Sequence, residues 1–386
     1  MLARNPDVAA AQEAFRAAVG EIDQATALED PMLTYEIAPL SVASSDAAFG
    51  QRIQLSQQLP FPGKRRLKGD VAAAEAEAMR GDVEAVRLEL AQMASGLFDD
   101  YYLVTRSLVI NAHHQELVAR VKKAAEAQYV VGRAAQQDPL QAEVELAQLE
   151  SDHVSLEAEL DLVVAQLNRL LHRAPQLKLP RPPATLPSYK ASTETVAQLQ
   201  DLAISKLPQR ASSSARIRGG QAAIALAEKQ FYPDFEVMAS YDSMWDMREH
   251  QWMVGIGINL PFQRASRRAA VDQAEARVAR ARSEDDRLVD TIRTEVHRAH
   301  RRMLEAVRIV EIFEQRLVPA SRDHVNAALA GFPSGQTGFL AVIGAERTQR
   351  EVELKLEAAR AELSRRHAAL DRAVGRIPGL ADGGVR

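Results

Sequence analysis

The densest run of potential ligands in the chain is Met244-Trp245-Asp246-Met247-Arg248-Glu249-His250-Gln251-Trp252-Met253. Thioethers beside an imidazole form a soft donor set that suits Cu(I) or Ag(I), which makes Met244, Met247, His250 and Met253 candidate metal ligands. No fixed ligand spacing is satisfied, and the competing reading is a loop whose Met and Trp side chains simply meet lipid. His297 and His300 stand three apart, a helical spacing at which two imidazoles can share an ion or merely lie on a solvated face. The adjacent His113-His114 is not a same-face pair. There are 0 cysteines, so disulfides, thiol nucleophiles and Cys-type zinc or iron–sulfur sites are excluded. No nucleophile elbow, phosphate-binding glycine loop or His-Glu-x-x-His is present, so the chain reads as a non-enzyme that needs no cofactor. Its acidic residues interleave with Arg as on a solvated helix face.

Composition sets the frame for these groups. Of 386 residues 46% are hydrophobic and 26% charged, with 48 basic and 52 acidic side chains and a net charge of -4. That balance argues against a polybasic nucleic-acid binder and against an acidic disordered tail. Mean hydropathy is -0.23, and no run of uncharged apolar residues is long enough for a transmembrane helix. A β-barrel stays open, because its alternating strands leave little hydropathy trace. Met1-Leu2-Ala3-Arg4-Asn5-Pro6 has neither the basic nor the apolar region of a signal peptide. Taken literally that is a cytoplasmic start; the alternative is a chain that has lost its leader.

Internal repetition organises the rest. Pro6 and Pro31 return as Pro208 and Pro233, and Leu59-Pro60-Phe61 returns as Leu260-Pro261-Phe262. One register, 203 residues apart, pairs Tyr129 with Phe332, Gly132 with Gly335, Glu143 with Glu346, Leu160 with Leu363 and Arg169 with Arg372. The chain thus divides into a first repeat, 1–175, and a second, 193–378, joined by a Pro-rich linker, 176–192, and followed by a tail, 379–386. The first repeat reads helix, β-hairpin about 31–60, long helix about 63–131, turn, and helix about 138–173. The second reads helix, β-hairpin about 233–261, long helix about 264–331, turn, and helix about 338–375. A helix over 63–131 would be roughly 100 Å long and must pack as a coiled coil. Its seam runs Val83, Val86, Leu90, Met93, Leu97, with a stutter at Tyr101. The second seam runs Val296, Ala299, Met303, Ala306, Val310, Phe313, Leu317, and Pro319 predicts a kink there.

The strands alternate with period 2. Trp252, Val254, Ile256, Ile258 and Leu260 fall on one face, and Gln251, Met253, Gly255, Gly257 and Asn259 on the other. In the first hairpin Ile53, Leu55 and Leu59 oppose Arg52, Gln54, Ser56 and Gln58. Such strands suit a membrane barrel with a wet lumen lined by Arg52, Gln54, Ser56, Gln58 and Asn259. Ten aromatics, Trp245 and Trp252 among them, crowd the two hairpin regions like an interfacial girdle. The bland alternative is a soluble β-sandwich lid, for which four strands are too few. Lys64, Arg65 and Arg66 follow the first hairpin and Arg264, Arg267 and Arg268 the second. There they could reach lipid phosphates or serve as ordinary helix-surface charge. Four strands are also too few for a barrel, so the chain should be a homo-oligomer, and three copies would supply twelve strands.

Across nearly its whole length the pattern resembles the TolC-like outer membrane efflux protein (outer membrane factor) family. The residues that carry the likeness are Asn5-Pro6 before an Ala-rich helix, Leu59-Pro60-Phe61-Pro62-Gly63-Lys64, and the duplicated helix–turn segments. These segments run from Tyr129-Val130-Val131-Gly132 to Leu140-Gln141-Ala142-Glu143, and from Gly335 to Ile343-Gly344-Ala345-Glu346. The resemblance implies a mainly α fold with a β-barrel part: long coiled-coil helices forming an α-barrel in the periplasm, and four strands per protomer in a trimeric twelve-stranded outer-membrane barrel. It implies a passive exit duct of a tripartite efflux pump, lodged in outer-membrane lipid. The partners would be a periplasmic adaptor and an inner-membrane pump of resistance-nodulation-division type, with no nucleic acid. The tips Val131, Gly132, Asp138, Gly335, Ala341 and Gly344 would meet the adaptor or frame the aperture. Ala341 and Gly344 stand where the family's acidic ring would be, while Asp138 is kept. The Phe61-Pro62-Gly63-Lys64 variant and the Met-rich second hairpin resemble the heavy-metal efflux branch. The alternatives are a drug-efflux or type I protein secretion channel, or a soluble coiled-coil scaffold.

Overall fold

A computed structural model describes residues 2–42, 49–132, 134–189, 194–245 and 247–378. The tail 379–386, part of the linker and Asp246 lie outside them. Among the described residues there are eight α-helices and four strands: α1 Pro6–Thr26, β1 Met32–Ile37, β2 Gln51–Leu59, α2 Lys64–Val130, α3 Gln137–Leu170, α4 Val196–Lys206, α5 Pro208–Lys229, β3 Phe235–Asp242, β4 Trp252–Ile258, α6 Arg264–Ile312, α7 Val318–Gly331 and α8 Phe339–Ala373. None of the described helices is long and apolar enough to cross a membrane.

The chain divides into two compact units, one of residues 10–83 and 208–288, the other of 1–9, 84–207 and 289–386. The first holds an antiparallel sheet in the order β1-β2-β3-β4, so the two hairpins join through β2 and β3. β1 and β4 are its edges. The long α2 forms because Ala, Glu, Leu and Arg fill it and no proline interrupts it. Pro208 ends α4 at Lys206 and opens α5, splitting into two what the sequence suggested was a single helix.

In the second unit the Asn-Pro motif has a physical role. The Asn5 side chain accepts from the Asp7 N–H at 2.8 Å, capping α1, and donates to the Leu170 carbonyl at 3.2 Å. Val8 behind it packs with Leu90 and Leu170. A larger core joins Val118, Val121 and Ala125 of α2, Ala142 and Leu149 of α3, Val325 and Ala328 of α7, and Phe339, Val342 and Ile343 of α8.

The second seam departs from its expected register. Val296, Met303, Ala306 and Val310 are buried as the heptad requires, but Leu317 is exposed and Val318 takes its place. Residues Phe313–Leu317 form a π-helical turn ahead of Pro319. One extra residue per turn shifts the buried face by one position, and Ser321, Val325 and Ala328 continue from Val318. The first seam also drifts, with Met93 exposed and Leu88 and Ala91 buried.

Candidate functional site: a two-faced sheet and two helical tips

Strand register sorts the sheet into rows. Leu33, Leu55, Ala239 and Val254 form one cross-strand row, and Tyr35, Ile53, Tyr241 and Trp252 the next. This face is bare: Val254, Ile256 and Trp252 are 82%, 73% and 72% exposed. The opposite face carries the rows Thr34, Gln54, Ser240, Met253 and Met32, Ser56, Met238, Gly255. Arg52 sits on that second face between Glu36, 3.5 Å away, and Asp242, 2.7 Å away. Gln58 pairs with Glu236 there. The sheet therefore presents one exposed apolar face and one face that carries the polar and ion-paired side chains. Asn259 lies beyond β4, and its side chain accepts from the Asp234 N–H at 2.7 Å. It fastens the start of β3.

The membrane-interface residues fall into different roles. Lys64 is buried, contrary to the expectation that it reaches lipid phosphate. Its ammonium donates to Asp234 Oδ1 at 2.8 Å and to the Tyr232 carbonyl at 3.0 Å. Arg65 donates through Nε to the Thr26 carbonyl at 2.8 Å, ending α1. Arg66 and Arg264 are exposed. Phe61 stacks on Tyr232 with centroids 4.7 Å apart, and Lys229 covers both rings. Trp252 lies against Tyr241, and Trp245 meets His250 edge-on at 6.0 Å.

Met244, Met247 and Met253 are exposed, and His250 is exposed beside them. Asp246 in the same loop is outside the described residues. Among the described residues no group of three or more His, Asp or Glu side chains is placed to hold a metal ion. His300 is buried while His297 is exposed, so the pair is neither a shared site nor a solvated face. Burial, Arg301 and His297 all lower the pKa of His300.

The tips close alike. Gly132 donates to the Tyr129 carbonyl at 2.9 Å and Gly335 to the Phe332 carbonyl at 3.1 Å. Their φ values, 73° and 75°, lie where a side chain is strained, and a β-carbon there would meet nothing within 4 Å. Val131, Ala341 and Gly344 are exposed and Asp138 is half-buried in the first turn of α3. Glu143 pairs with Lys122 at 2.9 Å.

Several acids expected on solvated faces are buried instead. His114, fully buried, lies 2.6 Å through Nδ1 from Glu346 and 3.2 Å through Nε2 from Glu353. Burial pulls the imidazole pKa down, but bonds to the two carboxylates outweigh it and hold it at about 9. Tyr102 donates to buried Glu357 at 2.6 Å, and burial with that bond pushes the phenol up to about 12. Burial pushes Asp99 up to about 6, against a hydrogen bond from Ser364. Glu145 is held by Arg347 and lies 3.6 Å from Arg350. A signal existed for this seam: Glu346, Glu353, Glu357 and Ser364 follow one another by seven, four and seven along α8.

The family model described as outer membrane efflux protein matches residues 199–376. The cobalt-zinc-cadmium resistance protein CzcC of Cupriavidus metallidurans is 21% identical over 379 residues, spanning 96% of this chain and 87% of that protein. Among solved structures, the outer-membrane channel OprN superposes with a TM-score of 0.82 at 21% identity, covering 97% of this chain and 88% of that one. CusC gives a TM-score of 0.83 at 19% identity, covering 97% and 90%. The second repeat thus matches the outer membrane efflux protein model, and nearly the whole chain has the fold of the outer-membrane channels it resembles, two long-helix repeats that carry a shared two-faced sheet.

Proposed function

We propose that the protein is the trimeric exit duct of a tripartite pump that expels heavy-metal cations. The observation that supports the duct is the sheet itself. β1 and β4 leave unpaired edges on a sheet whose apolar face is exposed, and in lipid those edges need strands from other copies. Three copies supply twelve strands around the face that carries Arg52, Gln54, Ser56 and Gln58. The tips around Gly132 and Gly335 meet a periplasmic adaptor, which couples the duct to an inner-membrane pump of resistance-nodulation-division type. The cargo reading is supported by the likeness to a cobalt-zinc-cadmium resistance protein over nearly the whole chain.

A duct needs weak, transient contacts, since a tight site would retain its cargo. Met244, Met247, His250 and Met253 offer contacts of that kind to soft ions. Deletion of the gene tests the assignment. The deleted strain should become sensitive to cobalt, zinc, cadmium, copper or silver, while a strain with Met244, Met247 and Met253 all changed to Leu should stay close to its parent. If the deleted strain tolerates every metal but succumbs to dyes, detergents or antibiotics, the cargo is organic and the heavy-metal reading is wrong.

A further inference from the structure

In the second unit α2, α7 and α8, with the π turn ahead of α7, surround a cavity of about 500 Å³. Three guanidiniums line it, Arg106, Arg322 and Arg360, and three carboxylates, Glu314, Glu353 and Glu357. Equal numbers leave the wall neutral, so hydrogen bonds decide what the cavity lacks. The carboxylates are served. Glu353 accepts from Gln349 at 3.0 Å through Oε1 and lies 3.2 Å from His114 Nε2 through Oε2. Glu357 accepts from Arg360 at 3.1 Å on one oxygen and from the Tyr102 hydroxyl at 2.6 Å on the other. Glu314 accepts from Arg360 through Nε at 3.1 Å and Nη2 at 2.7 Å. Arg360 is thereby used at all three of its nitrogens.

Arg106 and Arg322 differ from it. Arg106 stops 3.7 Å from Glu357 and Arg322 4.0 Å from Glu353, ion-pair distances too long for a hydrogen bond. Among the described residues neither guanidinium finds an acceptor, and the Arg106 Nε–H is shut away from solvent as well. An arginine carries five N–H donors and no acceptor. Two of them facing one cavity whose acids are already bonded make a surplus of donors, and a buried donor left unmade is costly. A cation is the wrong occupant. Three acids line the wall, yet among the described residues no group of three or more His, Asp or Glu side chains is placed to hold one. The two arginines also stand at different depths: the Arg106 side chain is 28% exposed and that of Arg322 62%, so one lies inside and the other at the rim. Between them the π turn Phe313–Leu317 brings Glu314 and, just after it, Val318 onto the wall. Such turns recur at functional sites, since they shift side chains off the face a regular helix would give them.

We propose that this cavity is an oxyanion site, in which a tetrahedral phosphate or sulfate is held between the guanidiniums of Arg106 and Arg322. A guanidinium fork matches two oxygens of such an ion, and hydrogen bonds between ionised partners are the strong ones. The bound ion supplies the acceptors that Glu353 and Glu357 do not. Arg360, already bonded to Glu314 and Glu357, serves as wall and keeps those two acids turned away from the anion. The site is independent of the cargo the duct carries.

Equilibrium dialysis of the purified full-length protein, in a phosphate-free detergent at neutral pH, against radiolabelled orthophosphate tests this. The wild type should bind one phosphate per chain, displaced by sulfate and not by an equal concentration of chloride. Arg322→Gln, at the exposed rim, should weaken binding about tenfold or more, and Arg106→Gln likewise. Arg106→Lys, which keeps the charge and loses the fork, should recover only part of the affinity. Arg66→Gln, an exposed arginine of the other unit, should bind as the wild type does. Absence of saturable phosphate binding overturns the site. So does binding that survives Arg322→Gln undiminished, or that an equal concentration of chloride abolishes. If Arg106→Gln does not fold, Arg322→Gln decides alone: loss of binding supports the site, and wild-type binding refutes it.

Discussion

Lys64 Nζ lies 2.8 Å from Asp234 Oδ1, and this pair ties the residue that opens α2 to the residue just ahead of β3. The same carboxylate oxygen accepts from the Phe61 N–H at 2.7 Å, and Asn259 holds the Asp234 N–H. The closing turn of the first hairpin and the opening of the second are thus fastened at one point.

Removing the cation should therefore cost more than a surface charge does. Lys64→Met leaves Asp234 with a lost charge-assisted bond and the Tyr232 carbonyl with one donor fewer. We expect a loss of about 1–3 kcal/mol, seen as a lowered thermal midpoint in detergent, because Asp234 keeps partial access to water. Arg66→Met, an exposed position on the same turn, should change stability by less than about 0.5 kcal/mol. Equal effects for the two would mean that Lys64 acts only as surface charge.

The tips make a separable prediction. Gly132 and Gly335 adopt left-handed backbone in open space, so a substituent meets no neighbour and the penalty is conformational alone. Valine at either position should cost about 1 kcal/mol or more locally. Efflux by the intact pump should fall while the amount of assembled protein in the outer membrane stays at its wild-type level. Unchanged resistance in the double variant Gly132→Val, Gly335→Val would reduce the tips to ordinary turns.

Much of the architecture is legible in the sequence because it rests on period and repetition. Alternation through Trp252, Val254, Ile256 and Ile258 marks one face of a strand without any tertiary knowledge. Glycine at both tips is equally plain, since positive φ selects it. The misplaced features depend on contacts between distant segments. Nothing local distinguishes Lys64 from Arg65, and only the arrival of Asp234, 170 residues on, draws one inward. Leu317 satisfies the heptad, yet the π turn Phe313–Leu317, of which it is the last residue, hands its place to Val318. His113-His114 says little as a dipeptide, because the partners of His114 lie 232 and 239 residues away. There the spacing of Glu346, Glu353 and Glu357 along one face of α8 is the sign in the sequence, and acids interleaved with Arg look the same whether a helix face is solvated or packed.

The central claim, that several copies close one barrel around a conduit, is tested most directly by native mass spectrometry of the detergent-solubilised protein. The account predicts a single species of three chains, each of 42.4 kDa, with no lipid-embedded monomer. A stable monomer in detergent would contradict it, because β1 and β4 would then face lipid with their backbone groups unpaired.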